Sequence, residues 1–214
     1  MTRREIRRET TQLIAGIPPD DRIVMDAQIT NAITGLAAWE AAETVLGYVA
    51  MNDEVDLQGV FSTAFREGKR LGLPRIEEGS PHMRFHLVDA DHGTFPQRLE
   101  PHHLGFRQPT ADAPRIYPPP GDAMASGDAA ASGDAAAPGT TIMIVPGRAF
   151  DRSGYRVGRG GGFYDRFLSL YGHGLATVGT GYTCQMFQAV PREESDVPVQ
   201  MVVTDSEICL ARLF

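Results

Sequence analysis

TIMIVPGRAFDRSGYRVGRGGGFYDRFLSLY, Thr141 to Tyr171, opens with a short apolar run, passes through a polar turn and Gly158, Gly160, Gly161 and Gly162, and ends in an amphipathic segment. The run is bounded by Pro146 and Gly147, which predicts a buried strand. Phe163, Phe167, Leu170 and Tyr171 recur at helical spacing, which predicts a helix. Strand, glycine loop and helix start, in that order, aim backbone N–H groups at an anion near the positive end of the helix. Five arginines fall between Pro146 and Arg166, although the 214-residue chain carries a formal net charge of -7. Arg156 and Arg159 are suited to give forked donors to phosphate oxygens, and Asp165, in the first helical turn, to hold a hard cation such as magnesium through oxygen. A plain structural alternative stays open at this point: the glycines make a tight strand-to-helix turn and nothing more.

The rest of the chain alternates in the same way. Thr2 and Glu5 have capping-box spacing, and Ile6, Leu13, Ile14 and Ile17 then repeat at helical intervals until Pro18. A second helix is expected after Asp20, with Met25, Ile29, Ala32, Ile33 and Leu36 as its stripe. The run Thr44 to Met51 reads as a buried strand, and Asp56 as the cap of a third helix that ends at Gly68. Further strand-like runs are RLGLPRI, MRFHLV, ATVGTGY and VQMVV. Strands alternating with helices predict an α/β layered fold around a mainly parallel sheet. One segment, 118–140, carries the hexapeptide ASGDAA twice in tandem and has Met124 as its one large apolar residue, so it is expected to be a disordered insertion within a single domain.

Composition excludes several function classes. With 42% hydrophobic and 22% charged residues the chain resembles an ordinary soluble domain, and no window approaches the roughly 18–20 apolar residues of a membrane span. MTRREIRRE lacks the apolar run of a secretory signal, and Cys184 and Cys209 form no CxxC pair, so free thiols in the cytoplasm are expected. The acidic balance argues against nucleic-acid partners. Of the 20 basic residues Lys69 is the single lysine, which rules out a P-loop, and Phe163 stands where a dinucleotide fingerprint needs its third glycine.

VPGRAFDRSGYRVGRGGGFYDRFL closely resembles the signature of the 5-formyltetrahydrofolate cyclo-ligases. The N-terminal pattern Arg3, Ile6, Arg7, the segments YVAMNDEVD, GKRLGLPRI with MRFHLV, LEPHHLGFRQP and the closing SDVPVQMVVTD resemble that family in its order. The resemblance implies a three-layer α/β/α fold similar to the NagB/RpiA/CoA-transferase-like fold. It also implies ATP- and Mg2+-dependent conversion of 5-formyltetrahydrofolate, with one glutamate or a polyglutamate chain, to 5,10-methenyltetrahydrofolate, by a protein expected to be monomeric. Carried over by position, it makes Arg3, Arg4, Arg7, Arg156, Gly158, Arg159, Gly160, Gly161, Gly162, Phe163 and Tyr164 ATP contacts. Val49, Met51, Glu54 and Tyr164 become folate contacts, Asp165 and Asp196 magnesium ligands, and Arg159, Tyr164 and Asp165 the catalytic set. The chain departs from the family's frequent residues at Arg3, Phe163, Ser195 and Gln200.

Blander readings apply to other residues. His82 and His86, four apart around a strand-like segment, are poorly spaced for one metal and read as surface histidines. His102 and His103 read as solvent-facing, and Trp39 as packing.

Overall fold

The computed structural model describes residues 1–88, 99–117 and 140–211. The expected insertion, 118–140, lies outside the described residues apart from Thr140. Among the described residues one eight-stranded sheet dominates. Its centre runs β12 (Met201–Val203), β10 (Ala176–Thr180), β7 (Thr141–Pro146), β1 (Thr44–Leu46) and β2 (Arg70–Ile76), all parallel. Antiparallel strands close both edges: β13 (Ile208–Leu210) beside β12, and β3 (Met83–Val88) then β6 (Arg115–Tyr117) beside β2.

Strand β7 explains the layering. Its apolar run is continuous because both faces are covered, as parallel strands require. Ile142 and Ile144 join the cluster built by α2 (Pro19–Thr34), the short α3 (Ala37–Ala41) and α4 (Gln58–Arg66), while Met143 and Val145 join the cluster containing Phe167 and Leu168 of α5 (Phe163–Tyr171). All four β7 side chains are fully buried. The fold is therefore a three-layer α/β/α arrangement, as expected.

Smaller elements carry the outer segments. The turn between β8 (Ala149–Asp151) and β9 (Arg156–Val157) is an antiparallel hairpin, joined by β11 (Met186–Phe187), and β4 (Leu99–Pro101) pairs with β5 (Arg107–Pro109). Helix α1 (Arg3–Ala15) begins with the expected capping box between Thr2 and Glu5. Its Ile6 packs with Ala149, Val157 and Val190, so the helix lies on the β8–β9 hairpin.

Several expectations shift. The strand from Thr44 ends at Leu46, because the chain leaves the sheet there to line a cavity. Helix α4 starts at Gln58 with Leu57 as its cap residue; Asp56 still accepts the Gln58 N–H at 3.0 Å, one residue further out than expected. Trp39 lies inside α3 and is 2% exposed, where its indole donates to Glu67 at 2.9 Å. His86 is buried, not superficial, because its Nδ1 lies 2.6 Å from the Ala113 carbonyl. His102 is half-buried against Phe106, their rings stacked 4.4 Å apart, whereas His103 is exposed.

Candidate active site

The order of the strands sets the position of the site. From β1 the chain moves to β2 on one side, and from β7 to β10 on the other, so β1 and β7 flank a topological switch point. A crevice opens outside the carboxyl ends of the strands at such a point. A cavity of about 840 Å³ lies there, lined by Tyr48, Val49, Met51 and Glu54 after β1, Pro146 to Arg148 after β7, and the glycine loop. This volume is within the range of small-molecule sites. Seven arginines line it against Glu54, Asp165, Glu193 and Asp196, an excess of positive charge inside an acidic chain.

One end is built by α1 and the glycine loop. Residues three and four apart share a helix face, so burial of Ile6, Thr10 and Ile14 turns Arg3 and Arg7 toward the loop and leaves Arg4 and Arg8 exposed. The Arg7 Nε donates to the Gly158 carbonyl at 2.7 Å. Gly160 and Gly162 take φ values of +109° and +66°, a region that disfavours a side chain, and Gly162 is the residue from which α5 starts. The loop thus delivers its backbone to the amino end of a helix, where partial positive charge gathers. Arg156, on β9, is 5% exposed and donates to the Val197 carbonyl at 2.7 Å and to Asp165 Oδ1 at 2.9 Å. Burial pulls this guanidinium down from its ordinary value, while Asp165 opposes the shift.

Acidic groups in the cavity all have cationic partners. Asp165 Oδ1 also accepts the Val197 N–H at 3.3 Å, and Asp196 Oδ2 pairs with Arg3 and accepts the Glu193 N–H at 2.7 Å. Glu54 bridges the two ends: Oε2 accepts the Met51 N–H at 2.9 Å and Oε1 accepts from Arg159 Nε at 3.0 Å. The other end is apolar, with Val49, Met51, Ile76, Met83, Leu104 and Phe106 on its walls. Between them stands the half-buried Tyr164, whose phenol is raised well above its ordinary value by burial and then by Glu54; it is a neutral hydroxyl at physiological pH.

Sequence-predicted residues converge here. Arg3, Arg7, Val49, Met51, Glu54, Arg156, Gly158 to Gly162, Phe163, Tyr164, Asp165 and Asp196 all line the one cavity, and so does Arg159. Arg4 does not; it is exposed on the outer side of α1. Residues absent from the prediction include Arg148, Leu104 and Phe106. The segment LEPHHLGFRQP signals the last two, since a turn between short strands that carries Leu104 and Phe106 places apolar groups where solvent would otherwise be. The Asp of the VPGRAFD turn is structural: Asp151 is 1% exposed and accepts the N–H groups of Ser153, Tyr155 and Val190.

Comparison with known proteins gives a consistent result. The sequence model of the 5-formyltetrahydrofolate cyclo-ligase family matches residues 1–119 and 125–205. The chain is 28% identical over 194 residues to the 5-formyltetrahydrofolate cyclo-ligase of Escherichia coli (strain K12), covering 90% of this chain and 94% of that protein. It is 25% identical over 209 residues to the Saccharomyces cerevisiae 5-formyltetrahydrofolate cyclo-ligase, covering 94% of each. The NMR structure of Aquifex aeolicus 5,10-methenyltetrahydrofolate synthetase superposes with a TM-score of 0.74 at 25% identity, covering 99% of this chain and 94% of that one. The Mycoplasma pneumoniae 5,10-methenyltetrahydrofolate synthetase shares the fold, with a TM-score of 0.68 at 16% identity, covering 96% of this chain and 100% of that one.

Proposed function

Because the chain belongs to the 5-formyltetrahydrofolate cyclo-ligase family, we propose that its cavity joins ATP to 5-formyltetrahydrofolate and releases 5,10-methenyltetrahydrofolate, ADP and phosphate. The observation that carries this reading is the union, in one cavity, of an arginine and glycine end with an apolar end that holds Glu54. A triphosphate suits the first; a flat, donor-rich pterin suits the second.

The chemical difficulty is that a formamide oxygen leaves poorly. Attack of that oxygen on the γ-phosphorus expels ADP and turns the oxygen into a phosphate leaving group. The position-10 nitrogen then bonds to the formyl carbon, loses its proton, and the ring closes as phosphate departs with the oxygen. The substrate supplies its own nucleophile, so the protein's contribution is positioning and charge stabilisation. Arg156, Arg159 and the loop N–H groups face the phosphates, with Arg3 and Arg7 behind them. Val49, Met51 and Glu54 hold the folate, and Tyr164 offers a neutral hydroxyl between the two.

The donor set fits a metal that arrives with its nucleotide. Among the described residues no group of three or more His, Cys, Asp or Glu gathers to hold a cation. Magnesium is commonly held by one or two carboxylates, with phosphates and waters in its other positions. Asp165 and Asp196 suit that role, each with one oxygen engaged by an arginine. When bound, the ion neutralises phosphate charge.

The reading takes the chain as one cyclo-ligase domain, monomeric and cytoplasmic, acting on a folate that carries one or more glutamates. Among the described residues no helix is long and apolar enough to cross a membrane. Measuring ADP release with and without 5-formyltetrahydrofolate tests the acceptor. Release that depends on the folate supports the proposal; release indifferent to it indicates another acceptor, and no release under any condition refutes an ATP-dependent enzyme.

A further inference from the structure

The loop after β1 and the glycine loop meet at a carboxylate that does not itself line the cavity. Asp53 divides its oxygens: Oδ1 accepts from Nη2 of Arg159, and Oδ2 pairs with Nη1 of Arg148. The two arginines differ in freedom. Arg148 has a side chain 3% exposed, and its Nη2 donates to Thr11 Oγ1 on α1. Its Nη1 also donates to the Asp53 carbonyl at 3.2 Å. Its backbone is fixed as well, because Gln185 Nε2 donates to the carbonyls of Gly147 and Arg148 at 2.9 and 3.1 Å. Arg159 has a side chain 40% exposed and sits on a loop of glycines. Left alone, such a side chain samples many rotamers and loses that freedom when it grips a ligand.

We propose that Asp53 is a positioning residue for nucleotide binding: anchored on the buried Arg148, it presents Arg159 to the phosphate end of the cavity in one orientation. The inference rests on the reading of Arg159 as a phosphate contact. Burial pushes the Asp53 carboxyl up, but hydrogen bonds and charge from Arg159 and Arg148 outweigh this and hold it below its ordinary value, so the clamp is ionised at neutral pH. A purely structural role is the rival account, in which Asp53 only neutralises Arg148.

The two accounts separate in a double-mutant cycle read by calorimetric affinity for the magnesium complex of a non-hydrolysable ATP analogue. Immobilising one long side chain costs a factor of roughly three to ten in affinity. Asp53→Asn is expected to weaken binding by about that factor, Arg159→Ala by more, and the double variant no further than Arg159→Ala alone. Equal weakening by Asp53→Asn with and without Arg159 overturns the proposal in favour of the structural role. An Arg159→Ala protein that binds as tightly as the parent overturns it differently, by removing Arg159 from the phosphate site. Because Asp53→Asn strands a buried guanidinium, the cycle is paired with Arg148→Leu, which leaves no buried charge unpaired. That variant is expected to bind the analogue more weakly although Asp53 is intact; unchanged affinity contradicts the anchoring role.

Discussion

Glu54→Gln separates stability from substrate recognition at one carboxylate. A glutamine carbonyl still accepts the Met51 N–H, which Glu54 Oε2 now takes at 2.9 Å. The charge facing Arg159 across 3.0 Å is lost, but the Arg159 side chain is 40% exposed, so solvent screens the pair and its loss costs about 0.2–1 kcal/mol. For a chain of this size that lowers Tm by less than about 4 °C. Folate binding is expected to lose far more. The side chain of Glu54 is 10% exposed, and a charge-assisted hydrogen bond from the pterin to such a group is worth about 1.5–3 kcal/mol. That corresponds to a rise in KM for 5-formyltetrahydrofolate of roughly 10- to 150-fold. The KM for ATP is expected to hold, because Asp53 still grips Arg159 Nη2 when the Glu54 charge is gone. Steady-state kinetics with each substrate varied in turn reads the split. A folate KM within twofold of the parent, together with a raised ATP KM, refutes the placement of the pterin at Glu54.

Other perturbations have equally definite signs. Asp165→Asn keeps an oxygen for Arg156 and the Val197 N–H, so thermal stability is expected to hold while turnover falls about a hundredfold or more and the magnesium requirement rises; a variant with parental turnover removes Asp165 from the metal site. Gly154→Ala sets a Cβ 2.1 Å from the Val199 carbonyl at a φ of +80°, and the combined clash and backbone strain cost about 2–5 kcal/mol, read as a lower denaturant midpoint; an unchanged midpoint contradicts the packing of the β8–β9 hairpin against Val199. Burial pulls the His86 imidazole below its ordinary value of 6.5, so the unfolded chain takes up that proton more readily than the folded one. Stability is then complete above pH 6.5 and declines as pH falls from there toward the lowered value. His86→Gln is expected to flatten the decline in Tm between about pH 7 and pH 5.5, and an equal slope in both proteins contradicts the assignment.

Local rules made the layers legible. Alternation of Ile142, Met143, Ile144 and Val145 between two faces is a property of four adjacent residues, as is the capping box at Thr2. The glycine loop reads as an anion cradle because strand, loop and helix follow one another directly, and the structure keeps that order from β7 to α5. What escaped was long-range. Strand β1 stops at Leu46 because the switch point lies there, a fact of sheet order and not of the apolar run that continues beyond it. The burial of His86 depends on the carbonyl of Ala113, and that of Arg148 on Asp53 and Thr11. Asp165 reads from its own neighbourhood as an open carboxylate, whereas the fold turns Arg156 onto it. Arg4 entered the expected set with the resemblance over Arg3 to Arg7, and the helical rotation of 100° per residue puts it on the exposed face of α1.

The central claim is that the arginine and glycine end of the cavity activates a formyl oxygen held at the other end. The most direct measurement mixes the pure protein with 5-formyltetrahydrofolate, ATP and magnesium and follows the methenyltetrahydrofolate absorbance. The account predicts that absorbance grows in step with ADP, and that it stops when either ATP or magnesium is withheld. A folded protein that yields no methenyl product under the complete mixture contradicts it.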